Sequence, residues 1–134
     1  MAPSTKILLI ENNPQETERL RLATLQVGAS AIDLNVATTL NEAVALLKTT
    51  GYSAILANLS LPDSRGADTA RALHQRAPDT PLIVITTAER EDAGAQAMQQ
   101  GAAGYMVQSE ISAAMLRREL RHAIERKHAE SNIK

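Results

Sequence analysis

The stretch KILLIENNP, residues 6–14, decides how this chain is expected to fold. Its apolar part, residues 7–10, is continuous and does not alternate, so residues 6–10 are typical of a strand buried on both faces of a parallel sheet. Asn13 then suits a helix cap, proline follows at the first helical position, and Glu16 stands where a capping box places its carboxylate. These residues predict a strand followed at once by a helix, which ends at Gly28.

The same alternation of strand and helix continues along the rest of the chain. Four further segments predict strands, at residues 32–36, 54–57, 82–85 and 105–107. A helical pattern follows each of them; the second helix opens with a capping box from Thr39 to Glu42, and the last starts near Ser112. Five β-α units in this order predict an α/β, doubly wound fold, with a five-stranded parallel sheet and helices on both of its faces.

The composition limits the classes of function. The 134 residues fit one domain, and no apolar run approaches the roughly 18 residues that a membrane span requires. The net charge of -1 provides no basic field for nucleic acid, and the lack of cysteine excludes thiolate catalysis and Cys-ligated zinc. The five-residue stretch near the N-terminus is too short for the apolar core of a secretory signal. We therefore expect a cytoplasmic protein that binds neither nucleic acid nor a membrane.

Four segments of the sequence resemble the response-regulator receiver (CheY-like) family. They are ILLIENNP at 7–14, ILANLSLPDSRG at 55–66, PLIVITTAE at 81–89 and GAAGYMVQSE at 101–110. Their order and spacing make the likeness specific, and it covers residues 6 to about 127. The resemblance implies a flavodoxin-like sheet of strand order 2-1-3-4-5 in a domain of residues 1–127. Residues 128–134 are then a polar C-terminal helix extension or tail.

The resemblance also implies a set of site positions at the carboxyl ends of the strands, where open parallel sheets place their chemistry. In the family, an acidic pair binds Mg²⁺, an aspartate accepts a phosphoryl group, and a hydroxyl and a lysine contact that group. An aromatic residue acts as a switch. By position these are, in order, Glu11 and Asn12, Asn58, Thr86, Gln108 and Tyr105.

Three of these positions depart from the family pattern, because Asn12, Asn58 and Gln108 each have an amide where the family has a charge. An amide has no anionic oxygen with which to attack phosphorus. Mg²⁺ prefers several carboxylate ligands, and Glu11 is the one that remains. The resemblance therefore implies a degenerate pseudo-receiver that is not an enzyme, has no cofactor or metal, and binds Mg²⁺ weakly or not at all.

Loss of the anions alone would leave a buried lysine unpaired, but here the lysine position is also an amide, Gln108. We therefore expect the pocket to persist as a neutral, hydrogen-bonded cluster. Glu11 is then interpreted as an exposed loop acid beside a helix N-terminus, and Thr86 as a strand-end threonine whose hydroxyl is satisfied. Two alternatives stay open. One is a phosphoacceptor receiver that uses an unusual residue, such as Asp63 or Ser60; the other is a small-molecule sensor that uses the vacant pocket.

The expected function is phosphorylation-independent protein interaction in two-component signalling. The partner is a signalling protein or a second copy of the chain, bound through the fourth helix, the fifth strand and the fifth helix, where receivers commonly dock. Tyr105 has two interpretations that the sequence leaves open. It is either an anchor for the partner, since tyrosine is favoured at interface hot spots, or a half-buried ring that covers Ala103 and the fourth helix.

Overall fold

The computed structural model describes residues 5–25 and 32–132, and the side chains of these ranges except those of residues 25 and 128–132. The strands of the main sheet are β1 (Thr5–Ile10), β2 (Ile32–Ala37), β3 (Ala54–Asn58), β4 (Leu82–Thr86) and β5 (Gly104–Val107). The helices are α1 (Pro14–Leu25), α2 (Leu40–Thr49), α3 (Ala67–Arg76), α4 (Glu91–Gln99) and α5 (Ala113–Asn132). The predicted end of α1 at Gly28 lies outside the described residues.

The five strands form one parallel sheet of order β2-β1-β3-β4-β5, which confirms the predicted fold and strand order. In the register, Ile10 lies opposite both Ala37 and Ala57, and Asn58 lies opposite Ile85. The carboxyl ends of the strands are therefore level with one another. This places the residues that follow them at a single edge of the sheet.

Both faces of the sheet are buried, which explains why the strands are continuously apolar. On β1, Leu8 and Ile10 point to a core cluster that they share with α2, α3 and α4. Ile7 and Leu9 point to the opposite cluster, which α1 and α5 cover. All four side chains are completely buried. Each contributes about 1.5–3 kcal/mol of hydrophobic free energy, so β1 alone is a large part of the stability of the domain.

The cap of α1 differs in part from its prediction. The Oδ1 of Asn13 accepts hydrogen bonds from the N–H groups of Gln15 (2.9 Å) and Glu16 (3.3 Å), as expected for a cap. The predicted bond between the Glu16 carboxylate and the N–H of Asn13 is wrong, because that N–H donates to Glu11 instead (3.1 Å). The carboxylate of Glu16 is then free to pair with Arg19 in the next turn, at 2.9 Å.

The cap of α2 is formed as predicted on one side and shifted by one residue on the other. The Oγ1 of Thr39 accepts from the N–H of Glu42 at 3.1 Å. The Glu42 carboxylate bonds the N–H of Thr38 (2.6 Å) and its hydroxyl (2.8 Å), not the N–H of Thr39. The backbone N–H of Thr38, followed by its hydroxyl, lowers the pKa of Glu42.

Helix α5 starts where the sequence predicts. The Ser112 hydroxyl accepts from the N–H of Met115 at 3.1 Å and so caps the first turn. The helix continues through Asn132, so the backbone beyond residue 127 is helical. The domain boundary at residue 127 stays a prediction. In the described part of the chain, no helix combines the length and the apolar character that crossing a membrane would take.

Candidate functional site

The carboxyl edge of the sheet contains an open cleft of ≈ 720 Å³. The predicted site residues that line this cleft are Glu11, Asn12, Asn58 and Gln108. Thr86 lies beside it, in a small crevice that also borders Asn58. Tyr105 is not at the cleft, because it leaves β5 towards α4. The structure thus brings together four of the six predicted positions and places a fifth next to them.

Glu11 is the centre of the cleft and is only 1% exposed. The Asn58 Nδ2 lies 3.0 Å from each of its two carboxylate oxygens. Its Oε1 also accepts the backbone N–H groups of Asn12 (3.0 Å) and Asn13 (3.1 Å). The interpretation of Glu11 as an exposed loop acid is therefore wrong. These donors replace the hydrogen bonds to water that the carboxylate loses on burial.

Asn58 uses both ends of its side-chain amide. Its nitrogen donates to Glu11, and its Oδ1 accepts the N–H of Ser60 at 2.8 Å. A flipped amide would turn its oxygen towards the carboxylate and its NH₂ towards another donor, so the partners determine the orientation. The expected hydrogen-bonded cluster is present, but it is not built from neutral groups alone, since the Glu11 carboxyl is at its centre.

The donor set does not fit the Mg²⁺ that the family implies at this position. Both oxygens of Glu11 already accept N–H groups, and the Asn58 amide nitrogen lies where it contacts them both. Neither Asn12 nor Asn58 can supply the negative charge that a hard dication needs. Among the described residues, no group of three or more acidic, histidine or cysteine side chains is arranged to bind a metal ion.

Gln108 begins a short 3₁₀ turn, Gln108–Glu110, between β5 and α5. Its backbone carbonyl accepts a hydrogen bond from the Arg19 Nη2 at 2.6 Å, and the carbonyl of Ile111 accepts from Nη1 at 3.3 Å. The guanidinium also pairs with Glu16 on α1. Arg19 thereby connects α1 to this turn. Sequence reasoning missed it, because only the Glu16–Arg19 spacing of three residues is visible in the sequence.

Thr86 is 5% exposed and donates its hydroxyl to the carbonyl of Arg90 at 2.7 Å. That carbonyl lies just before the first residue of α4. The hydroxyl is therefore satisfied within the chain, as expected for a strand-end threonine. Any role of Thr86 as a switch stays a prediction.

Tyr105 is half-buried, and its ring belongs to the core cluster on the side of α2, α3 and α4. It lies against Gly94 of α4. The ring therefore packs on the fourth helix, whereas its cover of Ala103, which packs against the opposite cluster, stays a prediction. Its hydroxyl forms no hydrogen bond with any described residue, and it is not a buried group. The tyrosine therefore combines a packed ring with an available polar end.

Asp63, one of the alternative phosphoacceptors, is engaged at another helix. Its two carboxylate oxygens accept the N–H groups of Leu40 (2.8 Å) and Asn41 (3.0 Å) at the N-terminus of α2. The N–H of Leu40 is the largest of the causes that lower the pKa of Asp63, and the N–H of Asn41 adds to it. Ser60, the other candidate, lines the cleft and donates its N–H to Asn58. Asp63 thus acts as a cap for α2.

Comparison with known proteins agrees with this architecture. The sequence matches the family described as response regulator receiver domain over residues 7–122. It is 30% identical over 101 residues to the response regulator protein PilR of Pseudomonas aeruginosa, an alignment that covers 75% of this chain and 22% of PilR. It is 31% identical over 132 residues to the cell cycle transcriptional regulator CtrA of Caulobacter vibrioides, covering 96% of this chain and 55% of CtrA.

A solved structure has the same fold over nearly the whole chain. The signal receiver domain of an HD domain-containing protein from Pseudomonas fluorescens Pf-5 superposes with a TM-score of 0.84 at 22% identity, covering 98% of this chain and 95% of that one. The chain itself spans only 22% of PilR and 55% of CtrA. The family match extends over most of the sequence, and the sheet, its order and its cleft agree with it. The chain belongs to the response regulator receiver domains.

Proposed function

We propose that this receiver domain, a module of two-component signalling, works without phosphorylation and acts by binding another protein. The observation that carries the proposal is the Asn58 amide, which bonds both oxygens of a buried Glu11. In this arrangement both oxygens of the one remaining acid are occupied by the amide nitrogen and are not free to bind a cation. Weak or absent Mg²⁺ binding is part of the proposal, and so is the absence of any catalysed reaction.

The chemistry of phosphoryl transfer supports the proposal. Transfer to a side chain needs a nucleophilic oxygen at the end of β3 and positive charge to stabilise the transferring group. Asn58 offers an amide whose oxygen is already bonded to Ser60. Gln108 is neutral, and the guanidinium that reaches its turn, that of Arg19, is bonded to backbone carbonyls and to Glu16. None of these groups is available for the reaction.

The proposed contact surface consists of α4, β5 and α5. Exposed acids lie at the start of α4, at Glu91 and Asp92, and exposed arginines lie on α5, at Arg117 and Arg121. Three ion pairs occur among the described residues, and none of them uses these four side chains. A second copy related by two-fold symmetry could therefore pair acids with arginines twice. A signalling protein with a similar pattern of charges fits the same surface.

The test is mass spectrometry of the intact chain after incubation with acetyl phosphate and Mg²⁺. We expect no gain of a phosphoryl group by the native chain, nor by the single variant Asn58→Asp, which still lacks the second acid and the lysine. The variant with Asn12→Asp, Asn58→Asp and Gln108→Lys is the positive control, because it restores every charge of the family pattern. A phosphorylated native chain would refute the proposal, and peptide mapping would identify the residue.

A small-molecule sensor remains the alternative, since the cleft is open and lined by amide side chains such as those of Asn12, Gln15 and Gln108. Sedimentation velocity tests for a protein partner, and thermal unfolding with added ligands tests for sensing. Concentration-dependent dimerisation that is lost in Glu91→Lys and restored when Arg121→Glu is added supports the contact surface. Sensing requires instead a ligand that raises the midpoint of thermal unfolding of the native chain and not that of Gln108→Ala.

A further inference from the structure

The buried glycine inside α4, Gly94, has no explanation in the helix itself. Glycine destabilises a helix interior relative to alanine, so its presence there needs a separate reason. Backbone conformation is not that reason: among the described residues, positive φ values occur at Gly66 and Gly101 and not at Gly94. An alanine at this position would have an ordinary helical backbone.

The reason is the close approach of Tyr105. A Cβ built on Gly94 would lie 2.7 Å from the Cδ2 of the tyrosine, 2.9 Å from its Cγ and 3.3 Å from its Cε2. Rotation of the ring about its own axis moves Cδ2 and Cε2 but leaves Cγ in place. The contact can therefore be relieved only if the tyrosine changes its χ1 rotamer or if α4 moves away from β5.

We propose that Gly94 is a positioning residue, which lets the ring of Tyr105 pack closely against α4 and so presents its hydroxyl in one orientation on the α4-β5-α5 surface. The ring is packed on one side by the backbone of α4, while the hydroxyl bonds no described residue. A ring that is already fixed loses little conformational freedom when a partner binds. Its contact with α4 involves no group of the cleft, so the orientation needs no phosphoryl group.

The value of this arrangement for binding rests on the proposed function, but the arrangement itself can be tested without a partner. The chain has no tryptophan and two tyrosines. Tyr52→Phe therefore leaves Tyr105 as the only strong fluorophore. In that background we expect Gly94→Ala to increase the quenching of Tyr105 by acrylamide, because the displaced ring is more exposed. An unchanged quenching constant in a folded Gly94→Ala variant would overturn the proposal.

Stability provides a second readout, whose sign depends on the ring. With Tyr105 present, Gly94→Ala should lower the midpoint of thermal unfolding. In a Tyr105→Ala background the same change should raise it by about 2–5 °C, because only the better helix propensity of alanine remains. The matched control is Ala95→Gly at an exposed neighbouring position of α4, which should lower the midpoint by similar amounts in both backgrounds.

The two backgrounds also cover a variant that does not fold. If Gly94→Ala is unfolded and its combination with Tyr105→Ala folds, the clash with the ring is demonstrated. If Gly94→Ala raises the midpoint equally in both backgrounds, Gly94 does not position the tyrosine. Neither result depends on acetyl phosphate or on dimerisation, so failure here is distinguishable from failure of the proposed function.

Discussion

The substitution Asn58→Asp converts the central hydrogen bonds of the cleft into a contact between two acids. Ser60 determines which atom faces Glu11, because its N–H bonds the Oδ1 of residue 58 at 2.8 Å. An aspartate that keeps this bond places its other oxygen where the amide nitrogen was, 3.0 Å from both oxygens of Glu11. Replacement of the amide nitrogen by a carboxylate oxygen therefore puts a negative charge beside Glu11 where a hydrogen-bond donor had been.

The magnitude follows from these distances. Two unit charges about 3 Å apart repel by about 5 kcal/mol at an effective dielectric constant of about 20. The hydrogen bonds from the amide to the carboxylate, worth about 1.5–3 kcal/mol each, are lost as well. Because the pair can separate or bind a proton, we expect a net loss of about 3–5 kcal/mol at neutral pH, in line with other broken buried pairs.

The sign of the pH dependence is also determined. Two adjacent carboxylates bind a shared proton more readily in the folded state than in the unfolded chain. The folded variant then carries more protons than the unfolded variant, so its stability falls as the pH rises. The difference in the free energy of unfolding between native chain and variant should therefore be largest near about pH 7.5 and smaller near about pH 5.

The assay is urea denaturation of both proteins at the two pH values, in buffer with EDTA. Asn13→Asp is the matched control. It makes the same amide-to-acid change two residues after Glu11, on an exposed helix cap. Aspartate is equally suitable as a cap, so we expect the free energy of unfolding to change by no more than about 0.5 kcal/mol. If Asn58→Asp is as stable as the native chain at neutral pH, the amide does not hold Glu11 as described.

Three further predictions concern contacts around the cleft. Asp63→Ala should lower the free energy of unfolding by about 1 kcal/mol at neutral pH, since it removes a cap of α2. Backbone N–H groups lower the folded pKa of this acid. In the native chain its contribution to stability is therefore present above the unfolded pKa and is lost as the pH falls through the folded pKa. Urea denaturation near about pH 7 and pH 3 tests the loss of stability and its pH dependence. Arg19→Gln should speed amide hydrogen exchange in the turn before α5, whereas Arg21→Gln, which removes an exposed ion pair on the same helix, should not. Thr86→Val should cost about 1–2 kcal/mol in thermal or urea unfolding, because it leaves the carbonyl of Arg90 without its hydroxyl donor; equal stability would show that the bond is dispensable.

The outline of the fold follows from local sequence. The run at residues 6–10 has no polar residue among its last four positions, which is typical of a strand buried on both sides. Asn13, Thr39 and Ser112 start their helices as expected, because a cap bonds N–H groups two or three residues away. A local rule failed where a nearer acid competed: the N–H of Asn13, expected to pair with Glu16, donates to Glu11 instead.

The chemical character of the cleft was also visible in the sequence. The three amides at Asn12, Asn58 and Gln108 are a matter of residue type and position in the chain. Their meeting in one cleft requires only that parallel strands end at the same edge. The environment of Glu11 was not predictable in this way. Its hydrogen bonds depend on Asn58, which is 47 residues away along the chain, and on the direction in which the amide points.

The sequence by itself thus determined the parallel α/β fold, the strand order through the family likeness, and the absence of charge at three positions of the cleft. The tertiary structure alone decided that Glu11 is buried under the Asn58 amide, that Arg19 reaches the turn before α5, and that Gly94 accommodates Tyr105. The physical reason is the same in each case. Residue types and short-range spacing establish what a segment can form, whereas burial, amide orientation and close packing depend on atoms that meet only after the sheet has assembled.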